Sequence, residues 1–262
     1  DHRTILSSVF GVIRVEGVVV GNEWARLEET DSDEALREGK TTLDEVVWYD
    51  STTANTVVEE GVKETAPVTF NVTTPVEYMG KAVTMYVEKT TILANSKVIG
   101  VATNDEMNVI NATVETEDTA KDYLKGTGVA VDADTDYYVN YGYYENAEEA
   151  IAVINEYANA FYGTNNAKFG LNGIEVEVID NNDDGTAEYV LYTVETLSQV
   201  YRYSERNEEL TFYVPDRTNG RLDLTASPVT RDFDDVVFAD DVADDDLILY
   251  VEYGGRTYVY LP

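Results

Sequence analysis

One window of this chain repeats its apolar residues at helical spacing. It is "NAEEAIAVINEYANAFYG", with Ile151, Ile154, Ala158 and Phe161 on one stripe. Asn146 is its N-cap with Glu149 three residues on, and Gly163 is the stop, so a helix is expected over 146–162. Nearly everywhere else short apolar runs alternate with polar residues and are punctuated by Gly, Pro, Asn or Asp, the pattern of half-buried strands. "VFGVIRVEGVVVGNEWARL" reads as one or two strands broken at Gly17 or Gly21. "APVTFNVTTPVEYMGKAVTMYVEKT" reads as two strands around Pro75 and Gly80, with Val83, Met85 and Val87 on one face. The expected fold is mainly β with one clear helix, in two β-rich domains that are barrel- or sandwich-like. The boundary is placed at Gly126, giving domains 1–126 and 127–262. Brief helical turns are expected before Gly39 and over "TEDTAKDYLKGTG", the latter capped by Thr116.

The chain has 262 residues, 44% of them hydrophobic, enough for a real core. Tyr dominates the aromatics, 20 against 7 Phe and 2 Trp, which again favours pleated sheet. Against 18 Lys and Arg stand 51 Asp and Glu, a net charge of −33. Such a surface repels phosphate backbones and anionic lipid headgroups, so nucleic acid and membrane insertion are excluded as partners. It also repels itself unless salt, calcium or a cationic partner screens it. No apolar run is long enough to span a bilayer, and the first residues lack a signal-peptide pattern. They read as the start of a piece cut from a longer exported protein.

With no Cys, disulfides and thiolate chemistry are closed off. The single histidine, His2, stands at the extreme end, which removes imidazole bases, Ser–His triads and His-ligated zinc. No nucleophile-elbow, phosphate-loop or dinucleotide-binding motif occurs. A carboxylate pair of the glycosidase kind remains open, but spacing among 51 acids selects none. A non-catalytic protein is expected.

The most specific motif is "DNNDDGTAE", between two strand patterns. Asp180, Asn182 and Asp184 occupy alternate positions, and Gly185 permits a sharp turn. The Thr186 carbonyl and Glu188 follow at the seventh and ninth positions. This is the oxygen-rich spacing of a calcium loop. It departs from the EF-hand in its strand flanks and in Leu191 at the twelfth position, where a bidentate Glu is missing. The alternative is a hairpin turn in which Asn, Asp and Gly supply Asx-turn and left-handed geometry. The clusters "DFDD" (232–235) and "DDVADDD" (240–246) read as solvated loops.

"VEVIDNNDDGTAEYVLYTVE" resembles the "IDNDGDGxxDYV" segment of large surface proteins of Clostridium-like Gram-positive bacteria that carry S-layer homology domains. "VEGVVVGNEWARL", "YMGKAVTMYVEK…KVIGVA" and "DDDLILYVEYGGRTYVYL" are similar to neighbouring regions of those proteins, and together the pieces cover about a third of the chain. Asp183 replaces the usual Gly, Glu188 the later Asp, and the anchoring repeats are not in this stretch. The resemblance implies the array-forming or spacer region of an extracellular, cell-surface protein. Such a region self-associates in a lattice stabilised by Ca²⁺, and regions outside this chain hold the wall polymer.

Two other readings stay open. One is a carbohydrate-binding surface module with Trp24, Trp48, Tyr137, Tyr138, Tyr141, Tyr143 and Tyr144 as stacking platforms. The other is a halophilic protein whose acidity is a solubility adaptation.

Overall fold

The structure is a computed structural model. It describes residues 10–27, 39–49, 61–88, 90–114, 128–162, 171–214, 224–225, 227–253 and 256–262, without the side chains of 112–114, 155–162 and 171–173. Among the described residues the fold is mainly β, with two sheets and one helix described over its length, and neither sheet closes into a barrel. Contacts divide the chain into two units. The first runs to Asn108 and takes in Asn181–Asp183; the second holds Val109–Asp180 and Asp184–Pro262, with Glu29–Asp31. The expected boundary at Gly126 lies outside the described residues, as do both brief helical turns.

The first unit is a six-stranded sheet of β1 (Val12–Gly21), β2 (Thr41–Tyr49), β3 (Val62–Lys63), β4 (Val68–Phe70), β5 (Ala82–Glu88) and β6 (Lys97–Thr103). The order is β3-β2-β1-β5-β6, β4 also pairs with β2, and every pairing is antiparallel. Alternation sorts the faces: Ile13, Val15, Leu43, Val83, Met85 and Val87 are buried, while Arg14, Glu16, Thr84 and Tyr86 stand on the other side. "VFGVIRVEGVVVG" holds one strand rather than two: Gly17 stays in register with Val83 on β5, and the bulge opposite it lies on β2, where Glu45 takes φ 52°. A Cβ on Gly17 would stand 2.8 Å from the Asp44 carbonyl, so only glycine allows that crossing.

"GNEWARL" then folds back over its own strand. The Asn22 side chain accepts from the Trp24 and Ala25 N–H groups and donates to the Pro75 carbonyl at 3.0 Å. Ala25 and Leu27 are thereby buried.

The second unit is a ten-stranded sheet. Its strands are β7 (Asn108–Val114), β8 (Asp136–Val139), β9 (Gly142–Tyr144), β10 (Leu171–Asp180), β11 (Tyr189–Ser204), β12 (Glu209–Phe212), β13 (Val229–Asp232), β14 (Val236–Phe238), β15 (Leu247–Tyr253) and β16 (Arg256–Tyr260). The main path is β13-β12-β11-β15-β16-β14; β10 and β8 also join β11, β7 joins β10, and β9 joins β8. Strand β11 is the spine. Its 16 residues contain no Gly or Pro and span about 53 Å at ~3.3 Å per residue. Val190, Tyr192 and Val194 enter one core with Ile174, Val176, Val178 and Ile154. Further along, Val200 enters a second core with Leu210, Phe212, Ile248, Tyr250 and Val259.

Helix α1 (Ala147–Tyr162) covers the first of these cores, burying Ala150, Ile151 and Ile154. Asn146 caps it as the sequence predicts, accepting from the Glu149 N–H at 3.0 Å. The Ala158 and Phe161 side chains and Gly163 lie outside the described residues. Among the described residues no helix is long and apolar enough to cross a membrane.

Two of the first sheet's glycines, Gly17 and Gly100, give a paired prediction. Gly17→Ala forces the Asp44 backbone to move and lowers the unfolding free energy by about 1–3 kcal/mol. Gly100→Ala has nothing within 4 Å of the new methyl among the described residues. It leaves stability unchanged or raises it by up to about 1 kcal/mol. Urea unfolding followed by tryptophan fluorescence reads this unit, since Trp24 and Trp48 are the chain's two tryptophans.

Candidate functional site

The acidic loop joins β10 to β11, whose ladder runs from Leu171↔Thr196 to Ile179↔Tyr189. Alternation buries Ile174, Val176 and Val178, then breaks, because Ile179 and Asp180 are both buried. The loop itself causes the break by folding its backbone onto the Asp180 carboxylate. One carboxylate oxygen accepts from the Gly185 N–H at 2.8 Å and the other from the Asp184 N–H at 3.2 Å. Asp183 and Gly185 take left-handed conformations, φ 55° and 91°, which brings those N–H groups round. The Asp184 carboxylate in turn accepts from the Thr186 N–H at 2.9 Å.

Neighbouring backbone pins the far side of the loop. The Ala130 N–H donates to the Gly185 carbonyl, and the Ala187 N–H donates back to Ala130. The Thr135 hydroxyl donates to the Ala187 carbonyl at 2.7 Å. Glu188 is half-buried; its N–H donates to Ile179 and its carbonyl accepts from Asp136. Asn182 and Asp184 are exposed. Residues 181–183 belong to the first unit. There Asn181, which the calcium spacing passes over, donates to the Gly80 carbonyl at 2.8 Å and accepts from the Ala82 N–H at 2.6 Å.

Asp180 thus serves the turn, a role common to the plain-turn and calcium readings. Each of its oxygens accepts one backbone hydrogen bond, and a carboxylate with amide and carbonyl oxygens nearby in sequence is the kind of oxygen-rich set that suits a hard cation. Among the described residues, no three acidic or histidine side chains are gathered as a metal-holding group.

The acidic cluster at 240–246 supplies caps. Asp244 accepts from the Tyr203 N–H, Asp246 from the Ala243 N–H and Asp240 from the Leu261 N–H. The three carboxylates therefore serve three separate stretches of backbone.

The aromatic candidates divide by burial. Tyr137 and Tyr138 are buried, and Tyr143 packs edge-on against Tyr138. Asn140 and Tyr141 form the β8–β9 turn with φ of 48° and 67°, and Tyr141 packs on Tyr253 and Tyr258. Tyr144 packs against the helix-covered core. Trp24 is half-buried, and Trp48 donates its indole N–H to Glu64 at 2.9 Å. The "YYVNYGYY" run is therefore packing material of the sheet rather than an open platform.

Burial raises the Tyr192 and Tyr258 hydroxyls well above the ordinary tyrosine range, with smaller contributions from Tyr137 and Tyr141 respectively. Neither hydroxyl has a hydrogen-bond partner among the described residues. Tyr260 is raised by burial first and then by its hydrogen bond to Glu195.

No protein-family model matches the chain, and neither a curated protein nor a solved structure does.

Two predictions follow the geometry. Asp180→Ala removes both acceptors of a charged cap and costs about 1.5–3 kcal/mol of unfolding free energy. Asp180→Asn, which keeps one acceptor, costs less; urea unfolding followed by circular dichroism measures both. The tyrosines set alkaline stability. The unfolded chain releases their protons near pH 10 while the native state still holds them, so stability is level below about pH 9 and falls as the pH passes ~10. Unfolding curves between those limits show that fall, and Tyr258→Phe makes it shallower.

Proposed function

We propose that this chain is a non-catalytic structural component of a bacterial cell-surface array, self-associating and stabilised by divalent cations. The observation that supports this most directly is where the acid sits. Asp180 is the one buried acidic side chain among the described residues. The other described carboxylates lie at or near the surfaces of β units in a chain of net charge −33.

Units so charged repel one another on contact. Salt shortens the reach of that repulsion to a Debye length of ~8 Å, but carboxylates pressed together between neighbours need an ion between them. Calcium fits, being hard and rich in oxygen ligands. The loop of Asp180, Asn182, Asp184, the Thr186 carbonyl and Glu188 is the place proposed for it, with weak, extracellular-type affinity of ~10⁻⁴–10⁻³ M.

The resemblance to S-layer homology proteins of Clostridium-like bacteria points the same way. On this reading the chain lies outside the cell, in the array or spacer region, and segments beyond it hold the wall polymer.

The experiment is assembly. The protein is followed by light scattering and negative-stain microscopy while calcium is raised to about 10 mM and then removed with chelator. Sheets or large particles that form with calcium and disperse with chelator are expected. Monodisperse protein throughout overturns the array reading, and turnover of a substrate overturns the non-catalytic one.

A further inference from the structure

The outward face of the first sheet carries a groove that the surface-layer reading does not use. It has a volume of about 630 Å³, lies over β1, β5 and β6, and ends at the turn after β6. That size falls within the ~300–1,000 Å³ usual for small-ligand sites. Its floor follows from strand register. Tyr86 lies between Arg14 on β1 and Gly100 on β6; one row along, Thr84 lies between Glu16 and Ala102.

Tyr86 is 38% exposed, and among the described residues no atom lies within 4 Å of where a Gly100 side chain would begin. The space beside the ring is therefore open. A register shift between Tyr86 and Val87 makes Ile99 the extra residue of a bulge, which sharpens the local twist of β6.

The polar groups around the ring are held in place. Arg14 pairs with Glu16, and the Tyr49 hydroxyl donates to Glu16 at 3.2 Å. The Thr84 hydroxyl donates to the Asn104 side-chain oxygen at 2.6 Å, which fixes the amide and leaves its two N–H groups as donors.

The geometry points to this groove as a binding site for a neutral oligosaccharide. A pyranose ring offers an apolar C–H face to an aromatic ring and a rim of hydroxyls that both donate and accept. Tyr86 supplies the first complement; Arg14, Glu16 and Asn104 supply the second, in planar groups that need little reordering on binding. Charge settles which sugars. Arg14 is already matched by Glu16, and Asp105 and Glu106 line the turn end, so anionic chains and phosphate polymers are repelled. The site does not depend on the array reading, and its test shares no readout with calcium-driven assembly.

The test is a calorimetric titration in chelator with neutral hexasaccharides: cellohexaose, xylohexaose and the hexamer of N-acetylglucosamine. At least one binds with Kd between ~10 μM and ~1 mM. Tyr86→Ala and Gly100→Val, which removes the platform or fills the space beside it, each weaken that binding by about tenfold or more. The melting temperature of Gly100→Val stays at the wild-type value, and Tyr201→Ala, another exposed tyrosine, binds as wild type does. The proposal is overturned if no hexasaccharide binds at about 10 mM. It is equally overturned if binding ignores both groove substitutions, or if hexalysine occupies the groove and the sugars do not.

Discussion

Self-repulsion among acidic side chains is the constraint under which every element of this protein folds. A charge is expensive to bury unless paired or richly hydrogen-bonded, so the acids among the described residues keep to outward strand positions, turns and caps. The interior is left to aliphatic residues, methionine, phenylalanine and tyrosine. The exception is instructive. Asp180 is fully buried, and two backbone N–H groups answer its carboxylate. The same device recurs at Asp246, which accepts from the Ala243 N–H in its own loop, and at Asp244 and Asp240, which accept from the distant Tyr203 and Leu261 N–H groups. Negative charge is thus used locally to hold turns, while its sum over the surface works against close approach of molecules.

Sheet is the architecture that best separates such a composition into faces. Strand β11 shows how far the principle extends: its inward residues serve the helix-covered core and then the core of Phe212 and Tyr250. Tyrosine suits this arrangement because its ring fills a core while its hydroxyl reaches a partner, as Tyr260 does with Glu195. Tyr192 and Tyr258 lack such partners among the described residues. Each desolvated hydroxyl without a bond is a cost that the surrounding burial must exceed.

Local rules were legible in the residues, and non-local ones were not. Asn146 and Glu149 announced the helix start, and the alternation of Val83, Met85 and Val87 announced the buried face of β5. That same alternation places Tyr86 on the opposite face, a signal available in the sequence and outweighed by the denser "YYVNYGYY" run. The run drew attention through composition, but the parallel pairing of β8 with β11 and the packing of Tyr141 on Tyr253 and Tyr258 take it into the fold. Those partners lie far along the chain, where periodicity carries no information. The acidic loop was legible as a turn down to its Gly. The burial of Asp180 was not, because it depends on a backbone path that side-chain spacing does not encode.

These features describe a β scaffold whose surface charge calls for counter-ions, the premise from which we propose a cell-surface layer. General screening and specific ion binding separate at matched ionic strength. The decisive measurement is the melting temperature of the wild-type protein in calcium chloride against sodium chloride, each dialysed from chelator. The account predicts a higher melting temperature in calcium at every matched strength, with the difference saturating in the millimolar range. Coincident curves in the two salts would contradict it.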